Sequence, residues 1–199
     1  MSSDVSSYMA QHIALAQRVS AEVLPKVLEV GQLLCRSFGA GGRLYTFGNG
    51  GSAADAMHLA EEMIGKFLRM RRPLPATALC ADGPAMTCIT NDFGYPEVFS
   101  RQVEALARPG DVVLGITTSG NSENVLRGLK AGREKGATTV ALLGRDGGKA
   151  TGLADHAIIV PANVTSLIQE MHIVVVHILC EVVDAWAAAA AGAAEDGRS

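Results

Sequence analysis

The run DVVLGI, Asp111–Ile116, is almost wholly apolar and is closed by turn signals on both sides, PG before it and TTSGNS after it. A strand without polar alternation is apolar on both faces, and such strands belong to parallel sheets covered by helices on either side. Four more short runs of this kind occur: Leu44–Phe47, Thr77–Cys80, Thr138–Leu143 and Ala157–Val160. Helical periodicity separates them, from about Ser52 to Leu68, over Pro84–Ile89 and Glu97–Ala107, and from Asn124 to Lys135. Five strands alternating with helices predict an α/β fold, a doubly wound five-stranded parallel sheet sandwiched by helices.

The ends of the chain read as helix. Over residues 1–38, Ile13, Leu15, Val19, Val23, Val27, Val30 and Leu33–Leu34 recur at helical spacing, and Pro25 is expected to break or kink the run. The last helix is expected from about Leu167 to Ala190, with a frayed tail over about 190–199. A length of 199 residues suits one domain.

Composition narrows the function classes. A formal net charge of −3 gives no basic excess for a nucleic-acid backbone, and 5% aromatics leave little for base stacking. Cys35, Cys80, Cys88 and Cys180 form no CxxC pair, and free thiols in a reducing compartment are expected. The polar opening MSSDVSSYMAQH has no apolar core of a secretory signal. The most apolar stretch, IVVVHILCEVVDAWAAAAA, is interrupted by His177, Glu181 and Asp184, which fits a buried helix better than a membrane span. A cytoplasmic protein with no membrane and no nucleic-acid partner is expected.

In parallel sheets ligands bind beyond the carboxyl ends of the strands, which directs attention to Gly48–Ser52, Ala81–Pro84, Thr117–Ser122 and Gly144–Lys149. The first opens GNGGSAAD, a glycine loop leading into a helix, where Ser52 and Asp55 have the form of a capping box. It is neither a GxGxxG fingerprint nor a P-loop, so a nucleotide gains little support. The loop TTSGNS places Thr117, Thr118, Ser119 and Ser122 at the next helix start without a lysine or arginine. Neutral donors on a helix N-terminus favour one phosphate group over a polyphosphate.

His58 and Glu62 stand four residues apart on one helix face, a spacing that can place an imidazole and a carboxylate on one divalent metal. Glu61 is expected to point elsewhere. The last helix carries Gln169, His172 and His177. His177 lies about 80° round the helix and about 12 Å along it from Gln169, so spacing does not choose between the two histidines.

Taken together the motifs resemble the phosphoheptose isomerase family of the sugar isomerase (SIS) superfamily. The resemblance runs over GNGGSAADAMHLAEE (48–62), NDFGYPEVFSRQVEALARPGDVVLGITTSGNSENV (91–125), KAGREKGATTVALLGRDGGK (130–149) and IQEMHIVVVHIL (168–179). It implies a single SIS domain over 1–199, a homotetramer with active sites at subunit interfaces, and one zinc per subunit held by His58, Glu62, Gln169 and His177. It further implies substrate contacts at Asn49, Gly50, Gly51, Glu62, Asn91, Asp92, Thr117, Thr118, Ser119, Ser122 and Gln169, with Glu62 and His177 as the catalytic acid–base pair. The implied reaction converts sedoheptulose 7-phosphate into D-glycero-D-manno-heptose 7-phosphate through an enediol(ate), the first step towards ADP-heptose for lipopolysaccharide core. Lys66 departs from the family's usual arginine four residues beyond the glutamate, and Ser166–Leu167 replace polar residues before IQE. The main alternative is a non-catalytic SIS tetramer that binds the replication initiator DnaA. Those relatives have lost the glutamate and the final histidine, both present here.

Overall fold

The computed structural model describes the backbone of residues 5–196 and the side chains of residues 5 and 7–190. Five parallel strands form one sheet: β1 Leu44–Gly48, β2 Ala76–Ala78, β3 Val112–Thr117, β4 Thr138–Gly144 and β5 His156–Val160, in the order β2-β1-β3-β4-β5. This is the predicted doubly wound α/β architecture. Seven α-helices accompany the sheet: α1 Val5–Arg18, α2 Leu24–Gly39, α3 Gly51–Ile64, α4 Gly83–Phe93, α5 Ser100–Leu106, α6 Glu123–Glu134 and α7 Thr165–Asp196.

The strands fold this way because successive side chains serve opposite cores. Val112, Leu114 and Ile116 of β3, with Val140 and Leu142 of β4, join buried side chains of α2, α3 and α7 on one face. Val113, Ala141 and Leu143 join Phe47, Phe99, Val103, Val125 and Leu129 on the other. Every residue of β1 and β3 is buried, whereas the edge strand β5 alternates between half-buried and buried. The run that looked apolar on both faces is the middle of the sheet.

Several boundaries differ from expectation for physical reasons. The break in the N-terminal helix falls before Pro25, as a π-helical turn over Val19–Val23 in which Leu24 N–H reaches back to Val19. Pro25 then occupies the first turn of α2, where a missing donor costs nothing. The second strand is Ala76–Ala78, because Ala81 N–H turns back to the Ala78 carbonyl at 3.1 Å. The last helix runs to Asp196, six residues beyond the expected Ala190; residues 197–199 of the expected frayed tail lie outside those described.

Helix α3 ends at Ile64, not Leu68. The Arg71 guanidinium folds back onto its terminal carbonyls, donating to Glu62 O at 2.6 Å and Met63 O at 3.0 Å. A cation on a helix C-terminus both satisfies free carbonyls and complements the dipole. The amides of Leu68 and Arg69 meanwhile turn to the Asp184 carboxylate at 3.2 and 2.8 Å.

Helix α7 is long and apolar enough, over Thr165–Ala190, to cross a membrane. Its Val175, Val176, Leu179, Cys180 and Val183 are instead buried in the core against α2 and α3, and it carries the buried Asp184.

Candidate active site

The strand order reverses between β1 and β3, since β2 lies on one side of β1 and the remaining strands on the other. At such a switch point the loops leaving two adjacent strands part in opposite directions and leave a crevice. Here those are the glycine loop after β1 and the hydroxyl loop after β3. Between them lies a cleft of about 310 Å³ lined by Asn49, Gly50, Gly51, Thr117, Thr118, Ser122 and Gln169 among the expected residues. Ser52, Ile116 and Thr165 also line it.

The glycine loop is built on backbone. Gly50 is the N-cap of α3 with φ 57°, a left-handed conformation that favours glycine, and no side chain caps the helix. The expected Ser52–Asp55 capping box does not form, because the N-cap lies two residues earlier. Ser52 is buried in the first turn, and Asp55 Oδ2 is buried without a hydrogen-bond partner. Burial pushes the Asp55 carboxyl up to about 6, opposed by the nearby His58. Gly51 permits close approach: a Cβ there would stand 2.3 Å from Gln169 Nε2.

The hydroxyl loop converges on the same cleft. Thr117 Oγ1 lies 3.1 Å from Ser122 Oγ and 3.4 Å from Ser119 Oγ. Ser122 is the N-cap of α6 but makes no side-chain cap bond. Both α3 and α6 therefore present N-termini without a side-chain cap to one crevice, which suits an anion. The Gly144–Lys149 loop braces this arrangement from behind, with Lys149 N–H donating to Asn121 Oδ1 at 3.1 Å and Ala150 N–H to Gly120 O at 3.0 Å.

Two residues that sequence reading missed hold Asn49. Asn124, which is buried, exchanges reciprocal amide hydrogen bonds with it at 2.8 and 2.9 Å. The Tyr95 hydroxyl donates to Asn49 Oδ1 at 2.6 Å. Asn91 and Asp92 lie at the end of α4, exposed and bonded to one another at 2.8 Å, and do not line the cleft. Ser119 points into the loop and does not line it either. Lys66 is exposed just beyond α3, and Ser166 accepts a hydrogen bond from Tyr8 at 2.8 Å.

Beyond the cleft, α3 and α7 bring three candidate ligands together. His58 Nε2 is 3.3 Å from His177 Nε2 and 3.4 Å from Glu62 Oε1. Glu61, expected to point away, has a carboxylate oxygen within 4.8 Å of His58 and Glu62 ligand atoms. Phe67 stacks on the His177 ring with centroids 5.8 Å apart. Two imidazole nitrogens with carboxylate oxygens form a donor set that zinc accepts. Gln169 does not join this group: its amide lies on Gly51, two turns of α3 before His58, and it makes no hydrogen bond among the described residues.

His172 has a different role. It is fully buried, with Nε2 3.0 Å from the Leu143 carbonyl, and burial lowers its pKa to about 4. It faces the sheet while His177 faces α3.

Residues 7–144 match the SIS domain family. A phosphoheptose isomerase of Trichlorobacter lovleyi is 48% identical over 185 residues, covering 92% of this chain and 94% of that protein. One of Aquifex aeolicus is 51% identical over 159 residues, covering 80% and 83%. The solved phosphoheptose isomerase of Neisseria gonorrhoeae superposes with a TM-score of 0.86 at 40% identity, covering 91% of this chain and 97% of the other. That of Francisella tularensis gives 0.88 at 31% identity, covering 90% and 96%. The chain belongs to the phosphoheptose isomerase family of SIS-domain proteins.

Proposed function

We propose that this protein is a zinc-dependent aldose–ketose isomerase that converts sedoheptulose 7-phosphate to D-glycero-D-manno-heptose 7-phosphate, the entry to ADP-heptose for lipopolysaccharide core. The observation that carries this reading is the pairing of an anion cradle at the switch point with a His58–Glu62–His177 cluster two turns further along α3. A phosphate at one end of a sugar and reacting carbons at the other need that separation.

The reaction moves one proton between C1 and C2 and another between their oxygens. The Thr117, Thr118 and Ser122 hydroxyls and the N-termini of α3 and α6 bind the phosphate and fix the register of the sugar chain. Asn49, held by Asn124 and Tyr95, orients a sugar hydroxyl. The Glu62 carboxylate takes the proton from C1 and returns it to C2, while the His177 ring nitrogen not used for zinc moves the proton between O1 and O2. His58, Glu62 and His177 would hold zinc; the family resemblance adds Gln169, whose amide would have to leave Gly51 to reach the ion. The chemistry a bound zinc supplies is polarisation of the carbonyl and hydroxyl oxygens.

A homotetramer with sites between subunits is part of this proposal. Met57, Ile64, Leu68 and Met70 are exposed around the cluster, and Val5, Met9 and Ile13 along α1. Apolar side chains grouped beside a polar site suit burial by another copy.

The test is turnover of sedoheptulose 7-phosphate by purified protein before chelation, after it, and with zinc restored. Zinc-dependent formation of the aldoheptose phosphate is expected. A tetramer inactive even with zinc would overturn the reading in favour of a DnaA-binding scaffold.

A further inference from the structure

Arg71 and Asp184 form an ion pair whose side chains are each 1% exposed, a rare degree of burial for opposite charges. Neither was a candidate site residue in the sequence, and neither lines the cleft. The guanidinium makes five hydrogen bonds, three of them shared between the two hydrogens of Nη1. Nε donates to Asp184 Oδ1 at 2.9 Å, Nη2 to Glu62 O at 2.6 Å, and Nη1 to the carbonyls of Met63, Gly65 and Arg72 at 3.0, 3.3 and 3.0 Å. The other carboxylate oxygen of Asp184 accepts from the amides of Leu68 and Arg69, and from the Arg69 guanidinium at 3.4 Å.

These bonds meet at the two helices that carry the cluster. Glu62, whose carbonyl Arg71 holds, offers its carboxylate to His58 one turn earlier. Asp184 lies seven residues after His177, so both stand on the same face of α7 about two turns apart. The strap pinned between them, residues 65–70, carries Phe67, whose ring stacks on His177 at an interplanar angle of 29°. Removing either charge would loosen the end of α3, the strap and the seat of the His177 ring together.

We infer that Arg71 and Asp184 are positioning residues that lock α3 to α7 and, through Phe67, fix the plane of the His177 ring against His58 and Glu62. The pair touches no substrate, and the phosphate cradle is built from other loops. Its loss therefore acts on the reacting end of the site and leaves phosphate binding alone. This inference rests on the isomerase reading.

The experiment compares wild type with Arg71→Lys, Asp184→Asn and Phe67→Leu, all full length. Two quantities are read: kcat and KM on sedoheptulose 7-phosphate, and zinc affinity by competition with a chromogenic chelator. Lysine keeps the charge of Arg71 but cannot make the five-bond fork. Each variant is expected to lose at least about tenfold in kcat with KM within about twofold, and to bind zinc about tenfold more weakly, as loss of a ligand-orienting contact does. Folded variants with wild-type kcat and zinc affinity would overturn the inference. Arg71 and Asp184 are buried, so Phe67→Leu, at a half-buried position, supplies the deciding arm if the others do not fold. Wild-type zinc affinity and kcat in Phe67→Leu would then overturn it. Zinc affinity is measured apart from turnover. An inactive wild type would defeat the isomerase reading, while the clamp would stand or fall on the affinity ratio.

Discussion

The Nε2 atoms of His58 and His177 lie 3.3 Å apart across 119 residues of sequence, one ring on α3 and the other on α7. With the Glu62 carboxylate 3.4 Å from His58, two imidazoles and a carboxylate meet across the α3–α7 seam. The chemistry of this group yields a direct expectation. Glu62→Gln preserves volume and the helix but removes the base, so kcat should fall by at least about 100-fold. The melting temperature and affinity for inorganic phosphate should stay near wild type. Near-normal turnover by this variant would take Glu62 out of the mechanism.

The hydroxyl loop is expected to act on binding. Ser122→Ala and Thr117→Val each remove a donor aimed at the cleft, and a hydrogen bond to a charged group contributes about 1.5 kcal/mol or more. KM should rise roughly tenfold in either variant while kcat changes little. Steady-state kinetics on the phosphorylated sugar checks this, and an unchanged KM would move the phosphate elsewhere.

Gly51→Ala separates site geometry from stability. The new methyl group would meet Gln169 Nε2 at 2.3 Å, but that atom ends a flexible side chain that can swing away. The expected result is a small stability change, under about 1 kcal/mol, together with a clear loss in kcat/KM. Paired thermal unfolding and kinetics would show it. A large drop in stability with activity intact would contradict the role given to Gln169.

His172 is expected to weaken the fold in acid. In the unfolded chain its imidazole takes a proton near 6.5, whereas in the fold burial lowers its pKa to about 4. Between those values the unfolded state binds more protons, so stability is fully present above about pH 6.5 and is lost as pH falls towards 4. The change is about 3 kcal/mol at most. Denaturant melts of wild type and His172→Gln between pH 4 and 7 should differ in slope, with the variant flatter. Parallel curves would exclude His172 as the source.

The sheet was legible in the sequence because its signals are short-range. Val112–Ile116 and Val140–Leu143 are unbroken by a polar side chain, and a glycine or hydroxyl loop follows each strand that borders the cleft. The end of α3 was not, since the Asp184 carboxylate that draws the amides of Leu68 and Arg69 off the helix path lies more than a hundred residues further on. Ser52 looked like a cap because S-x-x-D carries that meaning locally, while the positive φ of Gly50 is invisible in the letters. Spacing could not rank His172 against His177 because both interrupt the same apolar helix. Only packing shows that one meets the Leu143 carbonyl and the other meets His58. Tyr95 and Asn124 converge on Asn49 from two separate segments, and no local pattern announces that.

Helix α7 gives the molecule a timetable. It follows all five strands in the sequence, and it holds Gln169, His177 and Asp184. Until it is made, His58 and Glu62 lack their counterpart and the cleft lacks Thr165 and Gln169. The cluster is therefore assembled only when α7 docks, and a product cut short before it would lack His177 and Asp184 and leave the core face of α2 and α3 uncovered.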